Sequence, residues 1–211
     1  MNQEERQQLF DTWAASYEQD LATDQEGYPF AGYNRVLATV CRAADCHPGQ
    51  EVLDLGIGTG NLAARLVTAG CRVWGVDFSA EMLKLAGRKL PQVDLIQLDL
   101  TVAEWPDALQ RRFDRIVSTY AIHEMTLADK VTLLNRLGRE HLAAGGKIVI
   151  GDLSWPTAAA RDAFLASQDD WEDDEFYWAA DETRAALKPA GWQIGYQQIS
   201  FCAGVYTFQY R

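Results

Sequence analysis

The sequence predicts an α/β fold in which a mostly parallel sheet, covered by helices on both faces, ends in an antiparallel hairpin. Three observations predict it. Short apolar strands alternate with helical segments from Glu51 to Asp152, which implies right-handed crossovers and a sheet buried on both sides. A glycine-rich turn, Gly56-Ile57-Gly58-Thr59-Gly60, stands at the first strand–helix junction. The last two apolar strands follow one another with almost no linker, so they can only pair antiparallel.

The elements follow in order. Leu9, Phe10, Trp13, Ala14, Tyr17 and Leu21 recur at helical spacing, so Met1 to about Leu21 reads as one amphipathic helix. Gly27, Pro29 and Gly32 among Tyr28, Phe30 and Tyr33 mark an aromatic-rich loop, followed by a helix from Asn34 to about Ala44. Strands are expected at 51–55, 72–77, 93–98, 113–119 and 147–152, with helices from Asn61 to Ala69, Ser79 to Lys89 and Leu127 to His141 between them. Ser79 is a good N-cap, and Gly145-Gly146 is read as the stop after the third of these helices. The terminal strands run from Trp192 to Ser200 and from Ala203 to Tyr210.

A chain of 211 residues suits a single large core and leaves no room for a second full domain. Its parts read as an N-terminal helical lid over 1–46, a core over 51–153 and substrate-side helices with the hairpin over 154–211. With 19 Lys and Arg against 30 Asp and Glu the formal charge is −11. Nucleic-acid backbones and anionic membranes are therefore disfavoured partners, because both are gripped by basic patches. The short basic groups at Arg111-Arg112 and around Lys84, Arg88 and Lys89 read as solvated faces. No apolar run has the length of a membrane span, and no secretory signal is recognised, so a cytoplasmic location is expected. Cys41, Cys46, Cys71 and Cys202 form no CxxC pair and read as buried free thiols in a reducing compartment. No metal site is expected.

The glycine turn carries the chemistry. Glycines after a strand and before a helix let the backbone approach a ligand, and the helix that follows offers unpaired N–H groups. The dinucleotide fingerprint G-x-G-x-x-G/A needs a small third residue, but Asn61 stands there. That turns the loop away from NAD and FAD. Acids close the next two strands, at Asp77 and Asp99. A carboxylate at Asp77 can accept both hydroxyl hydrogen bonds of a ribose, although either acid alone could be a helix cap. Ligands of open α/β sheets bind beyond the carboxyl ends of the strands, where all three features lie.

The stretches Leu53-Asp54-Leu55-Gly56-Ile57-Gly58-Thr59-Gly60, Val76-Asp77-Phe78-Ser79-Ala80-Glu81-Met82, Asp99 and Ile116-Val117-Ser118-Thr119-Tyr120 resemble the class I (Rossmann-like) methyltransferases. The resemblance is to a small bacterial group that opens with a Phe-Asp-x-Trp-Ala-x-x-Tyr helix, here Phe10 to Tyr17. It implies a seven-stranded sheet in a three-layer sandwich and S-adenosylmethionine (AdoMet) as cofactor, released as S-adenosylhomocysteine. By the same resemblance the cofactor is held by Asp54, Gly56, Gly58, Gly60, Asp77, Phe78, Met82, Asp99, Leu100 and Ser118, with Tyr17 closing over it. Asp99 would bond the adenine amino group. Tyr17 could equally pack on Trp13, and Phe30 and Tyr33 are candidates for the same lid. Relatives carry an Ala-Phe-His-His type motif after strand four, whereas this chain reads Ala121-Ile122-His123-Glu124.

Methyl transfer from a sulfonium needs alignment more than side-chain chemistry. A base is needed only if the acceptor must lose a proton, and His123 is the candidate, ahead of Tyr120 and Glu124. The acceptor is expected to be a small molecule. Between strand five and the last helix, acids alternate with aromatics from Asp169 to Trp178. This stretch could bind an amine-bearing ligand, or form an acidic helix with Trp171, Phe176 and Trp178 packed inward. Competing functions are a non-catalytic AdoMet-binding protein on the same fold and a nicotinamide oxidoreductase. An amino-group methylase of nucleic acids would carry an Asn-Pro-Pro-Tyr type motif where Ser118-Thr119-Tyr120-Ala121 stands, and an arsenite-type enzyme would need a dedicated cysteine set.

Overall fold

The computed structural model describes residues 7–8, 11–14, 17–23, 26–168 and 175–210. Seven strands form one continuous sheet in the order β3-β2-β1-β4-β5-β8-β7. They are β1 Glu51–Leu55, β2 Arg72–Asp77, β3 Asp94–Gln97, β4 Phe113–Thr119, β5 Leu142–Trp155, β7 Gln193–Gln198 and β8 Ala203–Gln209. Among the pairings of this path, only those made by β8, with β5 and β7, are antiparallel. The expected sheet and hairpin are therefore present. An eighth strand, β6 at Trp178–Ala179, was not expected; it pairs parallel with Ser154 and Trp155 at the end of β5.

Alternation along the central strands divides the core in two. Val52, Val117 and Val149 face Val36, Leu37 and Val40 of α2 (Tyr33–Ala44) and Leu62 and Leu66 of α3 (Asn61–Thr68). Leu53, Ile116 and Ile148 face the other way, toward Leu133 and Leu134 of α5 (Leu127–Arg136) and Leu187 of α7 (Ala180–Leu187). Each such fully buried side chain contributes about 1.5–3 kcal/mol of transfer free energy. The remaining helices are α1 Tyr17–Thr23, α4 Ala80–Lys89 and α6 Ala158–Leu165. Ser79 caps α4 as expected, its hydroxyl accepting from the Met82 amide at 3.1 Å.

Three expectations are corrected. The N-terminal helix is not a single one ending at Leu21: residues 11–13 are helical, Ala14 is a turn, and α1 runs on to Thr23. The helix expected to reach His141 leaves the α conformation after Arg136 and finishes in a wider turn over Leu137–His141. Gly145-Gly146 is not a helix stop, because β5 already begins at Leu142, opposite Phe113. The register shifts between Phe113 and Arg115, and Gly145 takes a φ of 74° in this irregular stretch. All four thiols are free; Cys71 and Cys202 are buried as expected, but Cys41 and Cys46 are only half-buried.

From β1 the chain runs outward through β2 to β3, then returns to β4 on the other side of β1. This reversal opens a crevice at the carboxyl ends of β1 and β4.

Candidate active site

A cleft lies over that crevice and runs from the glycine turn to His123 and Glu175. Its floor at one end is the glycine turn. Gly56 has a φ of +66°, and a Cβ there would lie 2.3 Å from that of Ala121; the position tolerates no side chain. Gly58, at φ +54°, meets open space, so its restriction is conformational, and it is held there by its amide. That amide donates to Asp77 Oδ2 at 2.8 Å, and the Ser79 amide donates to Oδ1 at 2.9 Å.

Asp77 therefore enters the cleft wall in a fixed orientation, with lone pairs left over for a ligand. Burial pushes its carboxyl above the ordinary range, opposed by the amides of Ser79, Gly58 and Phe78. Asp54, on β1, is buried with neither oxygen hydrogen-bonded among the described residues. Its burial, and then the charge of Asp77, push its carboxyl well up. Buried carboxylates without partners are rare and costly. One here, on the face of β1 that looks toward α2, lies behind the glycine turn and is not among the residues that line the cleft.

The other assigned residues divide. Tyr17, Phe78, Met82 and Leu100 line the cleft. Gly60, at φ +82°, caps α3. Asp99 Oδ1 accepts from the Thr101 amide at 2.8 Å and hydroxyl at 2.7 Å, and the Ser118 hydroxyl donates to the Leu55 carbonyl at 2.7 Å. Gly60, Asp99 and Ser118 are not among the lining residues, although Leu98, Leu100 and Thr119 beside them are. Asn61, the residue that breaks the dinucleotide pattern, has a use: its amide donates to Glu18 Oε1 at 3.1 Å and to the Tyr33 hydroxyl at 3.2 Å. Glu18 also accepts from the Thr59 hydroxyl at 2.5 Å, and Asp11 accepts from the Ser79 hydroxyl and from the Glu81 amide at 3.3 Å. The N-terminal segment is thus docked across the glycine turn. Tyr17 both lines the cleft and packs edge-on against Trp13 at 4.8 Å.

At the opposite end stands His123. Its Nδ1 lies 2.7 Å from Asp152 Oδ1. Asp152 is fully buried and fully used, accepting also from the Leu153 amide at 2.9 Å, the Ile122 amide at 3.1 Å and Trp178 Nε1 at 3.1 Å. Facing a carboxylate, Nδ1 carries a proton, which leaves Nε2 for the cleft; Glu175 Oε1 is 3.8 Å from it. Burial works to lower the imidazole pKa, but the charge and hydrogen bond of Asp152, then Glu175 and Glu124, raise it to about 9. Asp152 goes the other way: burial works to raise it, yet His123 and Lys130 hold it below the ordinary range. The pair is ionised at neutral pH, so His123 becomes a proton acceptor only after losing its Nε2 proton.

Tyr120, with a φ of +52° that a bulky residue seldom adopts, turns its ring into the cleft, stacked on Tyr33 at 5.3 Å. Its hydroxyl is buried with no partner among the described residues. The wall beyond His123 is the segment 175–177. The Phe176 amide donates to the His123 carbonyl at 2.8 Å, and Lys130 Nζ donates to the Phe176 carbonyl. Lys130 is buried over the Trp178 ring at 4.5 Å. Burial drives its pKa down to about 7, against the pull of Asp152. Tyr177 donates to Glu175 and is hydrogen-bonded to Tyr28. The expected acidic helix is contradicted for the described part: Trp178 is core, but residues 175–177 are not helical and Phe176 is 44% exposed, because this segment is drawn extended toward β5. Asp169, Trp171 and the rest of 169–174 lie outside the described residues. Among the described residues, no group of three His, Cys, Asp or Glu side chains could hold a metal ion.

Sequence reasoning missed Asp152 and Lys130, and held Glu175 only as part of the stretch 169–178 and Tyr28 only as part of an aromatic loop. Asp152 carried the same signal as Asp77, an acid closing an apolar strand; the others meet the site only through long-range contacts.

Residues 52–146 match the family description of a methyltransferase domain. An uncharacterized methyltransferase of Geobacillus thermodenitrificans is 35% identical over 201 residues, covering 90% of each chain. Among solved structures, a complex of DhpI with SAH superposes with a TM-score of 0.72 at 23% identity, over 98% of this chain and 95% of that one. Magnesium protoporphyrin IX methyltransferase from Synechocystis PCC 6803, with bound SAH, gives 0.74 at 15% identity over all of both chains. The likeness to these structures establishes the fold. The relative in Geobacillus, 35% identical over most of both chains, places the chain in a family of methyltransferases.

Proposed function

We propose that the protein transfers a methyl group from AdoMet to a small-molecule acceptor, with the glycine turn and Asp77 holding the cofactor and His123 facing the acceptor. The observation that carries this reading is one cleft lined by the glycine turn and the Asp77 carboxylate at one end and by His123 at the other. AdoMet, when bound, supplies a methyl group activated by its sulfonium. The residues do the rest. Asp77 orients a ribose through its remaining lone pairs. Phe78, Met82 and Leu100 give apolar walls suited to a purine. Gly56, Gly58 and Gly60 keep the backbone clear, while Asp99 and Ser118 shape the strand ends from behind.

Trp13, Tyr17, Phe30 and Tyr33 line the cleft, which supports reading 1–46 as a lid, 51–153 as the cofactor-binding core and 154–211 as the acceptor side of one domain. Excluding water strengthens each electrostatic contact inside. The free thiols suit a reducing cytoplasm.

The test is a methyl-transfer assay with labelled AdoMet over small amines, thiols and hydroxy compounds. Label should pass to one class of acceptor as S-adenosylhomocysteine accumulates in step. Tight AdoMet binding with no transfer to any class would favour a non-catalytic binder.

A further inference from the structure

We propose that the acceptor is an amine, which enters as an ammonium beside Glu175 and Glu124 and is methylated on nitrogen. The proposal rests on the methyl-transfer reading above. It starts from the charges that face the acceptor end. Glu124 and Glu175 line it, and its only lining cation among the described residues is His123, whose charge Asp152 already matches. No lysine or arginine lines the cleft among the described residues. Lys130 is turned away: it is buried behind segment 175–177, bonded to the Phe176 carbonyl, with Arg161 and Glu182 further out. A carboxylate or phosphonate acceptor would meet two carboxylates and, among the described residues, no cation but the paired His123. An ammonium meets the opposite field, between the rings of Tyr28, Phe30 and Tyr120, whose faces attract cations. The unpartnered hydroxyl of Tyr120 gives its N–H groups an acceptor.

The bond changes sharpen the choice. The ammonium first passes a proton to His123 Nε2, once that atom is unprotonated. The nitrogen lone pair then forms the N–C bond as the carbon–sulfur bond breaks and leaves its electron pair on sulfur. The amine nitrogen gains positive charge in this step, and the carboxylates of Glu175 and Glu124 stand where that charge develops. An alkoxide, phenolate or thiolate would instead be repelled by both. Proton exchange is also matched: alkylammonium groups titrate near the lysine value of about 10.4, close to the imidazole raised to about 9 by Asp152, Glu175 and Glu124. An arriving ammonium disfavours a second cation at His123, so amine and imidazole share one proton.

Calorimetry on protein saturated with S-adenosylhomocysteine decides the matter, with phenethylamine, phenethyl alcohol and hydrocinnamate as probes of the same apolar body. The amine should bind at least about tenfold tighter than either of the others, the size of one charge contact. Glu175→Gln and Glu124→Gln together should erase most of that margin. Glu175 is partly exposed, with its side chain 38% accessible, so its amide variant is expected to fold. Equal affinities, a preference for the carboxylate, or no measurable amine binding overturns the proposal, as does a margin unchanged in the double variant. Failure of S-adenosylhomocysteine itself to bind would sink the methyl-transfer reading instead.

Discussion

At the glycine-turn end of the cleft, Gly56, Gly58, Asp77 and Ser79 belong to one β–α–β unit and are tied together by backbone amides. At the histidine end, His123, Asp152 and Glu175 come from three separate parts of the chain and are tied together by charge. The first end is fixed by backbone conformation, so substitutions there should act through shape. The second is fixed by proton occupancy, so substitutions there should act through pH. Neutral substitutions that keep side-chain volume separate the two.

Asp152→Asn should have the largest effect. It leaves His123 buried without its counter-charge, and breaking such a pair costs about 3–5 kcal/mol. Urea unfolding checks this, and a loss below about 1 kcal/mol would mean that the pair is not coupled. Gly56→Ala comes next. Crowding against Ala121 costs about 1–3 kcal/mol and the left-handed backbone about 1–2 kcal/mol more, read by the same unfolding experiment and independent of pH.

The sharpest contrast is in pH dependence between 7 and 9. His123 has its folded pKa raised to about 9. Its contribution is complete below the unfolded value of about 6.5 and is lost as pH rises through 9. Lys130 has its folded pKa lowered to about 7. It is protonated when unfolded and neutral when folded above that value, so its penalty fades as pH rises toward about 10.4. The two slopes oppose each other, and the parent protein should be nearly flat over this window. Lys130→Met should fall in stability with rising pH, and His123→Gln should rise, each by up to about 1.4 kcal/mol per pH unit. Parallel curves for parent and variants would contradict the assignment. Ser118→Ala should have the smallest effect, about 1 kcal/mol for one lost hydrogen bond, with AdoMet affinity unchanged by calorimetry.

This contrast also explains what could be read from the sequence. The glycine-turn end was legible because strand, turn, cap and acid are consecutive, and each carries a local signal: Gly56 and Gly58, Ser79 at a helix start, Asp77 at a strand end. Local signals have limits. Asp99 gives the same strand-end signal as Asp77, yet its carboxylate closes a turn on Thr101. Asp152 gives it again, yet its partner His123 lies 29 positions earlier. The role of Phe176 depends on Lys130 and the His123 carbonyl, contacts that no periodicity announces. Gly145 looked like a helix stop, but it lies in the stretch of β5 where the register with β4 shifts between Phe113 and Arg115.

The central claim is that the crevice between β1 and β4 holds AdoMet and not a dinucleotide. Calorimetry with AdoMet, S-adenosylhomocysteine and NAD tests it directly, on the parent protein and on Asp77→Ala. AdoMet and S-adenosylhomocysteine should bind and NAD should not, and Asp77→Ala should weaken AdoMet by about 1.5–3 kcal/mol, the worth of hydrogen bonds to a charged group. Binding of NAD in preference to AdoMet, or an unchanged affinity in Asp77→Ala, would contradict the account.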